Sequence, residues 1–135
     1  MVMRSQERST FGKRIDDYSS TQAAISLSRI ELDQCRLLVQ QAAHLLDTVG
    51  NKTARKQISM IKVAVAKSYQ NIADRAIQLF GARGVTNDTP ASRAFAKARA
   101  FRIYDGPDEV HLRTIARLEA AEQDLAAAAH YLSGI

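Results

Sequence analysis

Tryptophan is absent from this 135-residue chain, cysteine occurs once, proline twice, and aromatic residues make up only 6%. A single cysteine, Cys35, excludes an internal disulfide, gives no cysteine cluster for zinc, and fits a reducing, cytoplasmic compartment. Two prolines and six glycines are too few for an all-β chain, which needs turn residues about every 8 to 12 positions. No apolar run approaches the roughly 18 residues of a membrane span, and the opening "MVMRSQERSTFGKR" lacks the apolar core of a signal peptide. A soluble protein without a membrane partner is therefore expected. His44, His111 and His130 share no close helical register, so they read as surface or boundary residues and no metal site is expected.

What is present is aliphatic. Hydrophobic residues reach 46%, and with so few aromatics the core must be built from Ala, Leu, Ile and Val, which favours packed helices in one domain spanning residues 1–135. The net charge is +5. Its cations fall in two stretches, Lys52, Arg55, Lys56, Lys62 and Lys67, then Arg93, Lys97, Arg99 and Arg102. Tyr69 and Phe95 do not interleave with them as base-stacking platforms would, and no nucleic-acid motif accompanies them. They read as solvated helix faces, with no nucleic-acid partner.

Periodicity places the helices. From about Thr21 to Val49, the residues Leu27, Ile30, Leu38, Ala42, Leu45 and Val49 mark one face, and Gly50-Asn51 ends the helix. From about Thr53 to Phe80, Ile58, Ile61, Val65, Ile72, Ala76 and Leu79 form a second stripe, stopped by Gly81. The segment "GARGVTNDTP" reads as a loop, with Thr89 as N-cap and Pro90 as the first residue of a short helix to about Ile103. Pro107 opens the last helix with Asp108 and Glu109 at the positive end of its dipole, and Ile115, Leu118, Leu125, Ala129 and Leu132 form its apolar side. Short connections between long helices predict an all-α, up-and-down bundle.

Between the last two helices stands "RIYDGPDEVHL". Asp before Gly-Pro is ordinarily a turn former or a charge at a helix start, Gln78 an ordinary polar helix residue, and Gly81 a helix C-cap.

Three separated pieces, "RSTFGK", "IADRAIQLFGARGVTNDTPASR" and "RIYDGPDEVHL", together resemble the C-terminal helical domain of the acyl-CoA dehydrogenase family, in the family's order and at similar separations. The intervening "RIELDQCRLLVQQAAHLLDTVGNKTARKQISMIKV" is similar to members whose base turn reads Asp-Gly-Pro-Asp-Glu, so the resemblance covers nearly the whole chain. It implies a flavoenzyme that oxidises an acyl-CoA substrate to the trans-2-enoyl thioester, with FAD as cofactor. The family's base, a carboxylate before the last helix, falls on Asp105, and Gly106 would line the thioester end of the substrate. Asp is one methylene shorter than the Glu of better-known members, which bears on reach and on preferred acyl chain.

The cofactor contacts carry over by position. Arg8 matches the arginine that pairs with the FAD diphosphate, a role suited to a planar, permanently charged fork, with Thr10 and Phe11 beside it. Gln78, Leu79, Phe80, Gly81 and Ala82 match the family's Gln-x-x-Gly-Gly segment, which approaches FAD held mainly by a neighbouring subunit. Gly81 and Gly84 permit close backbone approach, while Ala82 replaces the second glycine and narrows that contact. Pro107, Asp108 and Glu109 occupy the stretch that reaches the cofactor in the family.

The resemblance also implies a fragment. The family's N-terminal helical and central β-domains are missing from this sequence, and the first helix of its C-terminal bundle is largely missing too. An open groove is expected, and leaving it wet forfeits about 1.5 to 3 kcal/mol for each large apolar side chain. A homo-oligomer, dimer or tetramer, or a partner chain carrying the missing domains would cover it. The isolated chain is expected to have little or no dehydrogenase activity. The alternative reading is a non-catalytic helical module for oligomerisation or interaction.

Overall fold

The computed structural model describes the backbone of residues 1–133 and the side chains of residues 1–126; Ala129, His130 and Leu132, read above as helix-face or boundary residues, have side chains outside that set. The chain is all-α apart from one small hairpin. A short helix α1 (Val2–Glu7) leads into strands β1 (Ser9–Thr10) and β2 (Lys13–Arg14) and a 3-10 turn over Ile15–Asp17. Long helices α2 (Ser19–Val49) and α3 (Asn51–Phe80) follow, then a second 3-10 turn over Gly81–Val85, α4 (Ala91–Phe101) and α5 (Asp108–Ser133).

Gly50 alone separates α2 from α3, with φ 81° and ψ 170°, a conformation that reverses the chain at no Cβ cost. The two helices run antiparallel: Glu31 meets Arg75 and Cys35 meets Ala64, so residue numbers fall along one helix as they rise along the other. Their buried seam repeats every seven residues, as Ser28, Cys35 and Ala42 on α2 and Ser59, Ala66 and Ala73 on α3. These small side chains let the backbones approach, bringing the Cys35 Sγ to 4.0 Å from the Ala64 carbonyl.

This corrects the α2 face expected from the leucine spacing. Leu38, Ala42 and Leu45 do turn inward, but Leu27, Ile30 and Val49 are exposed, because Ser28 and Cys35 rather than the larger aliphatics hold the inward register. On α5, Ile115 and Leu118 are partly buried while Leu125 is 72% exposed, against expectation.

Helix α3 is the hub, packing against α2, α4, α5 and the Gly81–Val85 turn. Gly84 makes the last of these contacts possible: a Cβ there would lie 2.4 Å from the Ile77 carbonyl oxygen. The expected Thr89 cap is not formed. Helix α4 starts at Ala91, Pro90 supplies the first helical acceptor to Ala94 N–H, and the buried Thr89 hydroxyl donates to the Arg83 carbonyl instead, tying down the preceding loop. Helix α1 is a six-residue segment held by buried Ser5 and by the Arg4 guanidinium, 5.8 Å from the centre of the Phe80 ring.

An apolar groove of about 350 Å³ runs along α3, walled by Val39, Ile58, Ile61, Val65, Tyr69 and Phe101. Among the described residues no helix is long and apolar enough to cross a membrane.

Candidate functional site

The turn that carries Asp105 is built from residues suited to a left-handed backbone. After α4 ends at Phe101, Ile103 and Tyr104 N–H groups still bond to the Ala100 carbonyl, and the chain then passes through φ 55° at Asp105 and φ 91° at Gly106. Aspartate tolerates this region better than most side chains, and glycine enters it freely. At Gly106 the requirement is double, since a Cβ would lie 2.8 Å from the His111 Nε2. Pro107 then supplies the carbonyl that accepts from Val110 and His111 N–H at the start of α5.

Three side chains from outside the turn hold it. The Lys62 ammonium, on α3, donates to the carbonyls of Phe101 at 2.5 Å, Tyr104 at 2.9 Å and Gly106 at 3.3 Å. His111 Nε2 lies 3.2 Å from the Asp105 carbonyl oxygen. Arg102 donates through Nε to Asp108 Oδ2 at 2.7 Å and through its terminal nitrogen to Gln70 at 3.0 Å. Sequence reasoning placed Lys62 and Arg102 on solvated faces and His111 at a surface or boundary; all three pack into the turn. For Lys62 a signal existed: it interrupts the aliphatic run of Ile58, Ile61 and Val65, where a cation without partners would be costly.

The turn's carboxylates are thereby sorted. Asp108 is only 9% exposed, its Oδ2 is held by Arg102, and its N–H bonds to the Arg102 carbonyl. Both bonds draw the two ends of the turn together. Glu109 and Pro107 lie exposed on the rim. Asp105 is exposed, and among the described residues its carboxylate makes no ion pair.

A second locus forms at the far end of α3. A cleft of about 430 Å³ is lined by Thr10, Phe11, Tyr18, Arg75, Gln78 and Leu79, so the hairpin and the Gln78 segment come together. The hairpin pairs Ser9 with Arg14 and Thr10 with Lys13. Phe11 and Gly12 form its tip, with φ 50° and 81°, and the Tyr18 hydroxyl ties its base by donating to the Thr10 carbonyl at 2.9 Å. Phe11 is 100% exposed. Its ring therefore contributes no buried area to the fold of the chain.

Arg8 is fixed by its backbone, its N–H to Arg4 and its carbonyl to Ile15, while its side chain stands exposed. Gly81 caps α3 with φ 65° and ψ −143°, its N–H on the Ile77 and Gln78 carbonyls and open space where a Cβ would be. Gln78 and Ala82 are exposed, and Leu79 and Phe80 are partly buried. Arg75, although it lines the cleft, is committed to Glu31 through bonds of 2.7 and 3.0 Å. That hydrogen-bonded pairing holds the Glu31 carboxyl below the usual range and raises the Arg75 guanidinium.

Thr10, Phe11, Gln78 and Leu79 thus meet in one cleft at an end of α3, with Arg8 at the foot of the hairpin and Gly81 and Ala82 just past the helix, while the Asp105 turn lies beside the middle of α3. Lys62 and Gln78 are separated by about 24 Å along the axis at 1.5 Å per residue.

The family model for the acyl-CoA dehydrogenase C-terminal domain matches residues 1–119. Acyl-CoA dehydrogenase family member 10 of Mus musculus is 47% identical over 123 residues, which is 91% of this chain and 12% of the mouse protein. Among solved structures, a Mycobacterium abscessus protein classed with the acyl-CoA dehydrogenases superposes with a TM-score of 0.88 at 43% identity, covering 90% of this chain and 30% of that one. The FAD complex of PigA superposes with a TM-score of 0.82 at 25% identity, covering 88% and 30%. The chain therefore spans under a third of the length of each.

Proposed function

The chain belongs to the acyl-CoA dehydrogenase family, and we propose that it supplies the C-terminal helical part of an FAD-dependent acyl-CoA dehydrogenase in which Asp105 takes the α proton of the thioester. The observation that carries this reading is the sorting of carboxylates at the turn: Asp108 is engaged by Arg102, whereas Asp105 stands exposed on a backbone held from beneath by Lys62. A compact carboxylate on an immobilised backbone is what abstraction of a weakly acidic C–H requires, because the acceptor must meet the proton in one geometry. Gly106 would line the thioester end of the substrate with its backbone, the place of a Cβ there being taken by the His111 ring.

FAD, when bound, accepts the hydride from the β carbon. The residues at the other end of α3 suit a large planar cofactor with a diphosphate. Phe11 offers an exposed ring, Arg8 an exposed guanidinium, and Gly81 an uncovered backbone beside Gln78 and Ala82. Leu79 and Phe80 support that segment from the helix. Pro107 and Glu109 rim the base turn toward the same cofactor system, and Asp108 fixes their backbone. Because the two loci are separated along α3, one chain contributes its hairpin to one FAD and its base turn to another, which calls for an oligomer. Leu27, Ile30, Leu37 and Leu46, exposed along α2, are suited to burial in such an assembly or against a chain carrying the remaining domains. Alone, the chain is inactive as a dehydrogenase.

The test is co-expression with the β-domain and N-terminal helical domain of the family. A yellow complex that oxidises acyl-CoA and loses about 10²- to 10⁴-fold in rate with Asp105→Asn supports the reading. Undiminished turnover in that variant removes Asp105 from the chemistry.

A further inference from the structure

We propose that Lys62 is a positioning residue for the base: its ammonium, planted on α3 beneath residues 101–106, holds the backbone left-handed at Asp105 and so fixes where that carboxylate stands. The inference deepens the reading of Asp105 as the base and rests on it.

Three carbonyl oxygens, from Phe101, Tyr104 and Gly106, converge on one nitrogen at 2.5, 2.9 and 3.3 Å. Carbonyl dipoles gathered this way repel one another unless a cation sits among them, and an ammonium has three donors to meet three acceptors. Two of the three belong to the residues flanking Asp105. The turn's own backbone bonds do not do this work: those of Ile103 and Tyr104 stop short of Asp105, and that of Asp108 spans it. Among the described residues the carbonyls of 104 to 106 find their partners in Lys62 and His111.

The surroundings of Lys62 argue against a casual surface cation. Its stem leaves α3 between Ile58, Ile61 and Val65 and runs along the groove walled by Tyr69 and Phe101. The other charged and titratable groups at the turn have separate attachments: Arg102 holds Asp108 and Gln70, and His111 lies against the Asp105 carbonyl. Lys62 ties α3 to the end of α4 and to both residues flanking Asp105, whereas Arg102 reaches α3 at Gln70 and the start of α5 at Asp108.

Two variants test this. Lys62→Met keeps the stem and removes the donors. In the full chain, amide hydrogen exchange at Ile103, Tyr104 and Asp108 should quicken by about tenfold or more, while the amides of Cys35, Ala42, Ala66 and Ala73 hold their protection. In the FAD-loaded assembly, flavin reduction should fall by about tenfold or more with KM for acyl-CoA within about twofold, the pattern of a misplaced base rather than lost binding. Lys62→Cys in a Cys35→Ala background, alkylated with 2-bromoethylamine, rebuilds an ammonium at nearly the same reach and should recover the rate. Unchanged exchange at the turn, equal loss of protection along the α2–α3 seam, or failure of the rebuilt ammonium to restore the rate would each overturn the proposal. Asp105→Asn reports on the base separately: if that variant keeps its turnover, the dehydrogenase reading falls, and exchange at the turn still decides whether Lys62 holds it.

Discussion

Arg102 and Asp108 clasp the Asp105 turn from its two ends: the Arg102 Nε donates to Asp108 Oδ2 at 2.7 Å, and the Asp108 N–H returns a bond to the Arg102 carbonyl at 3.2 Å. The pair closes the loop in which Asp105 sits and couples the end of α4 to the start of α5. Truncating Asp108→Ala leaves a partly buried guanidinium without its partner, which costs about 1.5 to 3 kcal/mol. A lower urea midpoint at constant slope would register that loss. An unchanged midpoint would mean that the clasp contributes nothing net.

The Glu31–Arg75 pair joins α2 to α3 with both side chains largely covered, at 20% and 22% exposure. Arg75 lowers the Glu31 carboxyl below its ordinary value of 4.5, so the folded state binds fewer protons there than the unfolded state. The resulting stability is complete above the ordinary value and is lost as pH falls below it through the lowered one. Glu31→Gln should therefore destabilise the chain by about 1 to 2 kcal/mol near neutrality. The gap between the two chains' unfolding midpoints should close on acidification. A gap independent of pH would show that the contact acts through packing alone.

Gly84→Ala forces a methyl to within 2.4 Å of the Ile77 carbonyl oxygen, a backbone atom on the hub helix that cannot swing aside. Overpacking of this kind costs about 1 to 3 kcal/mol. The loop from Gly81 to Pro90 should also exchange its amides faster, since its contact with α3 is the one disturbed. Thermal unfolding together with exchange mass spectrometry would detect both effects.

At the hairpin tip, fold stability and cofactor affinity should separate. Phe11→Gly removes a wholly exposed ring and relieves its φ of 50°, so stability should stay within about 0.5 kcal/mol of the parent. If the ring packs on FAD, burying it is worth about 1.5 to 3 kcal/mol. The FAD dissociation constant of the assembled protein should then rise by about tenfold or more. Equal affinity in the two proteins would take Phe11 out of the cofactor site.

Helix ends and the Asp105 turn were readable from sequence because each depends on a residue with one dominant conformational habit. Gly50 and Gly81 end helices with positive φ, and Asp-Gly-Pro sets a left-handed pair followed by a helix start. The inward face of α2 was harder to read. Its seam uses Ser28, Cys35 and Ala42, whose small size permits close packing but, Ala42 apart, did not enter the aliphatic pattern. Leu27 and Ile30 carry that signal and point outward. Lys62 was misassigned for a related reason: its neighbouring cations outweighed the aliphatic run it interrupts, and the three carbonyls it meets lie 39 to 44 residues further along the chain. The Arg102–Asp108 pairing across six residues was likewise invisible, because no spacing rule joins two side chains across a turn.

The alanine and serine seam gives α3 a mechanical character. Side chains this short have almost no rotamers to exchange, so the helix pair lacks the slack that long, interleaved leucines would provide. One stiff rod then carries both Lys62, under the Asp105 turn, and the Gln78 segment beside the hairpin cleft, and a bend anywhere between them would be felt at both stations at once.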